Sequence, residues 1–285
     1  MKKEKTAEYL FKAAALFSVV AVLLICIFLF ASAIPTIAKI GPLNFLFGKK
    51  WKPSNNIYGI LPMILASIYV TGLSILFGVP LGILMAVYMA FFCPRKLYKF
   101  LKPCVELLSG IPSIVYGFFG LMVIVPFMQR IVGGSGKSLL TASILLALMI
   151  LPTIITVSET SLRSVDKSLL DGALSLGDTK ECAIFKVIIP SASSGILSSV
   201  ILGIGRSIGE TMAVIMIAGN QAVMPSSIYK GVRTMTANIV LEMGYATDLH
   251  RDALIATGAV LFVFILIINF MFIYKNYGAS FIRIF

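Results

Sequence analysis

Long runs of apolar residues, separated by short polar segments, dominate the pattern along the chain. Six runs stand out, at about 13–34, 60–91, 104–126, 139–160, 191–219 and 254–274. Because about 20 residues of helix cross the ~30 Å hydrocarbon core of a bilayer, each run predicts a transmembrane helix. The second run is long and contains Pro80, but no polar turn interrupts it, so it predicts one tilted or kinked helix. The pattern therefore predicts an all-α polytopic membrane protein with six transmembrane helices.

Composition supports this class. Of 285 residues, 59% are hydrophobic and 13% are charged, whereas soluble domains are about 45–50% apolar and about 25% charged. The formal net charge of +12 does not indicate a nucleic-acid partner, because no basic patch is interleaved with aromatic residues. We expect the cationic ends and loops to meet anionic headgroups, which makes membrane lipid a partner.

The distribution of Lys and Arg favours an orientation with both termini in the cytoplasm. Cations are dense near both ends and in the segments 95–102 and 163–186, which this topology places inside, in agreement with the positive-inside rule. Lys39, Lys49, Lys50 and Lys52 lie on the opposite side, against the rule. None of the four cysteines falls in a predicted outer loop, so no disulfide framework is predicted.

The first apolar run also imitates a cleavable signal peptide. It follows a Lys-rich stretch and ends near Ala31-Ser32-Ala33. The run is longer than the 7–15 apolar residues of such a peptide, and we therefore expect a retained span. N-terminal sequencing of the mature protein distinguishes the two.

Residues 133–140, GGSGKSLL, imitate a phosphate-binding loop. That loop requires G-x-x-x-x-G-K-[ST] between a strand and a helix. The position of the first glycine is occupied by Ile131, and both flanking segments are apolar runs of membrane length. We expect a tight turn here rather than a nucleotide site. The chain is therefore not predicted to hydrolyse ATP.

Residues 164–190 are polar enough to leave the membrane and are patterned as two short helices. An apolar face at helical spacing comprises Leu169, Leu170, Ala173, Leu174 and Leu176. Gly177 suits the left-handed residue after a helix. Asp178, with Glu181 three residues on, predicts the start of a second helix that continues to Pro190. The pattern alone leaves open whether this pair lies on the headgroups or docks into a partner.

The stretch DGALSLGDTKECAIFKVIIP resembles the E-A-A, three residues, Gly, nine residues, I-x-L-P signature of ABC-importer permeases. The matching positions are Asp171, Gly172, Ala173, Gly177, Val187, Ile189 and Pro190. Asp171 and Gly172 replace Glu and Ala, which weakens helix propensity slightly. The resemblance implies that this segment is the coupling helix, which sits in a cleft of a separate ATPase subunit.

The fifth run contains a charged pair, Arg206 and Glu210. Their i, i+4 spacing predicts that they stack on one helix face, deep in the bilayer. Gly203, Gly205 and Gly209 surround them and allow a close helix approach or a local break. Intramembrane ionisable residues usually face a cavity or a partner, and a guanidinium matches a tetrahedral oxyanion with a two-point fork. An anion path and a structural ion pair between helices are both compatible with this pattern.

GRSIGETMAV at 205–214, followed by Gly219-Asn220, resembles the C-type permease subunit of phosphate-specific ABC importers. GIPSIVYGFFGL at 110–121 and LALMILP at 146–152 agree with it. The resemblance implies a type I ABC importer permease fold in a bacterial inner membrane, with Arg206 and Glu210 in phosphate passage. It implies an A-type permease paralogue, cytoplasmic ATP-binding subunits and an extracytoplasmic phosphate-binding protein as partners. The predicted domains are an N-terminal span with an outer loop (1–54) and a permease core (55–285) with the coupling helix at 164–190.

Alternatives are a permease for molybdate, tungstate or sulfate, and a secondary anion transporter, for which the expected inverted repeats are not found. No cofactor or metal is predicted. His250, the single histidine, lacks evident partners for a metal. Glu106 and Glu159 are interpreted as solvated carboxylates near helix ends.

Overall fold

The computed structural model describes the backbone of residues 2–282 and the side chains of residues 8–271. Met1 and residues 283–285, which the predicted domains include, lie outside the described residues. The helices within this part are α1 (Lys2–Ile40), α2 (Pro42–Phe47), α3 (Leu61–Val87), α4 (Arg95–Gly110), α5 (Ser113–Phe119), α6 (Val125–Val132), α7 (Leu139–Arg163), α8 (Lys167–Ser175), α9 (Lys180–Ala183), α10 (Ile189–Ser191), α11 (Ser193–Gly209), α12 (Met212–Ile217), α13 (Met235–Met243) and α14 (Asp248–Ile282).

Two short strands, β1 (Trp51–Lys52) and β2 (Ile57–Tyr58), form an antiparallel hairpin with Trp51 opposite Tyr58. Single π-helical turns at 88–92, 120–124 and 184–188 extend or join helices. We call the end of the bundle that carries residues 51–58 the hairpin end. The opposite end, which carries α8 and α9, is the helix-pair end.

The predicted all-α membrane architecture is confirmed. Five helical stretches of the described chain are long and apolar enough to cross a bilayer: Glu8–Ile40, Leu61–Phe92, Ser113–Val132, Leu139–Arg163 and Asp248–Met271. A sixth span is counted when Lys180–Ser191 and Ser193–Gly209 are taken together, although they meet at a bend of 69°. The second span is one continuous helix, as predicted.

Two predicted spans differ from the structure. The third begins at Ser113 instead of 104, because Ile111 and Pro112 are extended and separate it from α4. The fifth is not one helix over 191–219, because the backbone breaks at Ala192 and again at Glu210. Apolar runs set the approximate length of a span, but local breaks inside a run leave no trace in hydropathy.

Close packing of α3 against α7 forms the centre of the bundle. A methyl group at Gly78 would stand 2.8 Å from Ile150 Cδ1 and 3.2 Å from the carbonyl oxygen of Ala147. One turn further, a methyl group at Gly82 would stand 2.7 Å from Ile154 Cγ2. Small residues at i, i+4 allow two membrane helices to approach closely, which maximises dispersion contacts where no hydrophobic force acts between helices.

Hydroxyl pairs attach α11 to this centre. Ser207 Oγ lies 2.8 Å from Ser74 Oγ of α3, and Ser199 Oγ lies 2.8 Å from Ser158 Oγ of α7, all four side chains being buried. At 1.5 Å per residue, Ser74 lies roughly 20 Å along α3 from the hairpin end. The end of α11 is therefore held well inside the span.

We expect Gly78→Ala to destabilise the protein by about 1–3 kcal/mol through overpacking against α7. Gly72→Ala on the same helix is the matched control, because a methyl group there meets no atom within 4 Å and both changes gain the same helix propensity. Thermal unfolding of the purified chain in detergent measures the difference. Equal melting temperatures for the two variants would contradict this account of the α3–α7 contact.

Candidate functional site

The charged pair in the fifth apolar run lies at a break in the helix. α11 ends at Gly209, Glu210 is extended with φ −69° and ψ 129°, and α12 begins at Met212. The prediction that Arg206 and Glu210 stack on one helix face is therefore wrong. The expected ion pair between them is absent from the described part of the chain. Arg206 instead occupies the last turn of α11, where a cation interacts favourably with the carbonyl end of the helix.

Glu210 is turned towards the next helix. Its Oε1 accepts hydrogen bonds from the backbone N–H groups of Thr211 (3.1 Å) and Ala213 (3.2 Å). A carboxylate at the start of a helix satisfies amides that have no partner within the helix. The acidic side chain therefore stabilises the break itself.

The Arg206 guanidinium has a single protein partner. Its Nη1 donates to Thr153 Oγ1 at 3.3 Å, and its other N–H groups have no hydrogen bond to any described residue. The side chain is only partly buried, and a methyl group placed at the neighbouring Gly205 or Gly209 would meet nothing within 4 Å. This face of α11 is open, and the guanidinium retains most of its donors for a ligand.

The predicted helix pair at 164–190 is present in outline. Asp166 caps α8 by accepting from Ser168 N at 2.9 Å, and Gly177 takes the left-handed conformation with φ +92°. Asp171 and Gly172 are exposed, Ala173 is buried, and Leu176 is 91% exposed. The side chain that caps α9 is Thr179, which accepts from Cys182 N, and not the predicted Asp178.

The sequence suggested that Pro190 opens the next span, and this prediction is wrong. It lies within α10, directly after the π-helical turn 184–188, and α11 begins at Ser193 beyond the 69° bend.

A buried carboxylate near the helix-pair end was misjudged from sequence. Glu159 is 1% exposed and accepts from Tyr98 Oη (2.7 Å), Lys102 Nζ (2.9 Å) and Arg163 Nε (2.8 Å). Arg163 also donates to the carbonyl of Met89 at 2.7 Å. The interpretation of Glu159 as a solvated carboxylate is therefore wrong, because three side chains, two from α4 and one from α7, donate to it. The sequence did contain one sign of this burial, because Glu159 and Arg163 are spaced i, i+4 within an otherwise apolar helix.

This Glu159 cluster is joined to the helix pair. Lys180 at the start of α9 donates to the carbonyl of Phe91 at 2.6 Å, two residues beyond Met89. The helix pair is thereby attached to the same end of α3 as Arg163. Glu106, by contrast, is exposed as predicted and lies 3.8 Å from Lys102.

A second buried carboxylate lies at the hairpin end. Glu242 Oε1 accepts from Arg233 Nη1 at 2.6 Å, while its Oε2 accepts from Trp51 Nε1 at 2.8 Å and lies 2.8 Å from His250 Nε2. His250 therefore has a carboxylate partner that the sequence did not reveal. No group of three or more His, Cys, Asp or Glu residues suited to a metal ion occurs among the described residues.

The loop that imitates a phosphate site is a turn, as predicted. Gly133, Gly134 and Gly136 have positive φ, and Ser138 caps α7 by accepting from Thr141 N. It is preceded by α6 and not by a strand.

These features can be compared with known proteins. A family described as "Binding-protein-dependent transport system inner membrane component" matches residues 78–282. The chain belongs to this family. It is the membrane permease component of an ABC importer, whose ATPase is a separate subunit and whose substrate is delivered by a binding protein.

Individual relatives cover most of the chain. The probable ABC transporter permease protein YqgH of Bacillus subtilis is 40% identical over 270 residues, which is 91% of this chain and 87% of that one. The phosphate transport system permease protein PstC of Mesorhizobium japonicum is 35% identical over 260 residues, covering 84% of this chain and 79% of that one. The predicted resemblance to phosphate permeases is confirmed.

Solved structures share the fold. A subunit of the MetNI methionine ABC transporter in an inward-facing conformation superposes with a TM-score of 0.63 at 19% identity, covering 80% of this chain and 99% of that one. A bacterial alginate ABC transporter gives a TM-score of 0.64 at 17% identity, with 95% and 94% covered. The type I importer permease fold of this family member is thus established.

We expect Tyr98→Phe to destabilise the permease by about 1.5–3 kcal/mol, because it removes a hydrogen bond to a buried charged group. The hydrogen bond to Glu159, and then burial, also raise the pKa of Tyr98 above its ordinary value. Tyr69→Phe is the control, since no side-chain hydrogen bond of Tyr69 occurs in the described chain. Thermal unfolding in detergent that is unchanged by Tyr98→Phe would contradict the role of the Glu159 cluster.

Proposed function

We propose that this permease imports phosphate and forms half of the translocation path, with Arg206 as the residue that receives the anion. The supporting observation is a guanidinium inside the span whose only hydrogen bond to a described residue goes to the Thr153 hydroxyl. A cation in this setting needs a counter-charge, and the planar fork fits a tetrahedral oxyanion. Relatives named as phosphate transport permeases support phosphate as that oxyanion.

Glu210 sets the strength of this site in the proposal. Its carboxylate is held by two amides at the break, four residues from Arg206 along the chain. A negative charge in this neighbourhood weakens the hold of the guanidinium on an anion. A transport site must release what it admits, so the pair supports passage rather than storage.

The helix-pair end carries the coupling function in this proposal and faces the cytoplasm, with both termini on the same side. Asp171, Gly172, Ala173, Gly177 and Pro190 belong to the coupling segment, and the exposed Leu176 at its turn offers an apolar contact to the ATPase subunit. Closure of the ATPases pulls on this segment. The pull reaches α11 through α10 and opens the region of Arg206 to the outside.

The remaining partners complete the assembly. An A-type permease paralogue supplies the other half of the path, and an extracytoplasmic protein delivers phosphate at the hairpin end. Lipid covers α1, whose central residues are exposed. We assign residues 1–54 to an accessory N-terminal unit and 55–285 to the transporting core.

Molybdate, tungstate and sulfate are the competing substrates, because the charge of one guanidinium does not distinguish phosphate from another tetrahedral oxyanion such as sulfate. In the proposal, the binding protein makes most of the choice. Reconstitution of this permease with a sulfate-binding partner is expected to allow sulfate uptake. Absence of sulfate uptake from such a docked, ATP-hydrolysing complex would assign the selectivity to the permease.

We expect Arg206→Gln to lower phosphate uptake at least tenfold while the complex still assembles, since the anion loses its cationic partner. Glu210→Gln removes the negative charge but retains an oxygen that accepts from the two amides. Glu210→Ala removes the charge and the acceptor together, so the two variants distinguish the effect of the charge from the effect of the helix cap. Uptake into proteoliposomes, with ATPase activity measured alongside, reports the outcome. Loss of assembly in Arg206→Gln would identify Arg206 as a structural residue.

We expect Gly177→Ala to reduce binding-protein-stimulated ATPase activity and uptake together, because a side chain is strained at φ +92°. Gly72→Ala is the matched control: it lies in α3, outside the coupling segment, and an added methyl group there meets nothing within 4 Å. Both variants are compared with the unmodified complex. Normal coupling in Gly177→Ala would contradict a requirement for this turn.

A further inference from the structure

A second arginine near the break is incompletely satisfied. Arg233 donates from Nε to the carbonyl of Asn220 (2.9 Å) and from Nη1 to Asn238 Oδ1 (3.1 Å) and Glu242 Oε1 (2.6 Å). Its Nη2 has no hydrogen bond to any described residue, and 18% of its side chain is exposed. The guanidinium is therefore anchored on one edge and available on the other.

Two buried amide atoms next to this arginine also lack partners. Asn238 is 0% exposed, and its Nδ2 has no hydrogen bond, while its Oδ1 is held by Arg233. Asn220 Oδ1 also has no hydrogen bond to a described residue, but it is an acceptor and therefore suits a water molecule and not an oxyanion. An unsatisfied buried polar atom costs about 1–3 kcal/mol, so such atoms in a native protein point to a ligand or water.

The segment that carries Arg233 lies against the helix break. Thr236 Oγ1 donates to the carbonyl of Glu210 at 3.2 Å, and Met235 N donates to Ser67 Oγ of α3. Ser67 lies closer to the hairpin end of α3 than Ser74 does, and Ser74 is the residue of α3 that contacts Ser207 near the end of α11. Arg233 therefore lies on the hairpin side of the Glu210 break.

We propose that Arg233 and Asn238 form a second oxyanion-binding station, placed before Arg206 on the route from the hairpin end. The free Nη2 and the free Nδ2 supply donors, and Glu242 keeps the guanidinium from holding the anion too strongly. This proposal rests on the proposed import function and adds a step to it. An anion entering from the binding protein is received by Arg233 and then passed across the break to Arg206.

The alternative is that Arg233 and Glu242 form only a structural tie between α13 and the hairpin end. The double variant Arg233→Gln/Glu242→Gln separates the two, because it removes both charges and leaves no unpaired buried ion. We expect this variant to assemble and to retain binding-protein-stimulated ATPase activity, while its phosphate uptake falls at least tenfold. Arg251→Gln, which removes an exposed cation at the same end, is expected to leave uptake unchanged.

Glu242→Gln alone provides a second measurement. With the guanidinium no longer neutralised, we expect a lower KM for phosphate and a lower maximal rate, because the anion is held more tightly. A structural tie predicts lower amounts of assembled complex with an unchanged KM. Uptake at the unmodified level in the double variant, or its failure to assemble, would overturn the proposal.

Failure of the import function itself has a different signature. If the unmodified complex, supplied with a phosphate-binding protein and ATP, takes up no phosphate, the proposed function is wrong whatever the variants do. If it takes up phosphate and Arg206→Gln does not, while the double variant is unaffected, only the second station is wrong.

Discussion

A polypeptide that breaks a helix at membrane depth must satisfy the freed peptide groups away from lipid, and this constraint organises the centre of the permease. Each unsatisfied group in hydrocarbon costs several kcal/mol. Here the Glu210 carboxylate accepts from the amides of Thr211 and Ala213, and Thr236 donates to the Glu210 carbonyl. The charge that stabilises the break is the same charge proposed to moderate anion binding. In the proposed function, structure and transport therefore both depend on the Glu210 side chain.

The surrounding packing keeps the break in position. α11 is held against α3 and α7 by two buried serine pairs, and α3 and α7 are in turn held by glycine-mediated contact. At the helix-pair end, Glu159 binds Tyr98, Lys102 and Arg163, while Lys180 attaches α9 to the carbonyl of Phe91. In the proposed coupling, a displacement of the helix pair reaches the Glu159 cluster through the contact of Lys180 with the end of the second span.

Hydropathy and local turn chemistry were sufficient to predict the approximate positions of the spans, the continuous second helix, the turn at 133–138 and the left-handed Gly177. They did not reveal the break at Glu210, because GRSIGETMAV is compatible with a continuous helix, and Thr236, which donates to the Glu210 carbonyl, comes from a distant segment. Glu159 and Glu242 were missed for the same reason. Tyr98 is 61 residues from Glu159, and Trp51 is 191 residues from Glu242. Long-range hydrogen bonds of this kind have no periodic signature in one sequence.

The most direct test is a density map of the assembled transporter, trapped with phosphate and closed ATPases. The account predicts that Arg206 lines a water-filled route between the two permease subunits, with anion density within hydrogen-bond distance of its guanidinium and the chain broken at Glu210. A guanidinium that faces lipid or is enclosed in a sealed helix contact, with a continuous helix through residue 210, would contradict it.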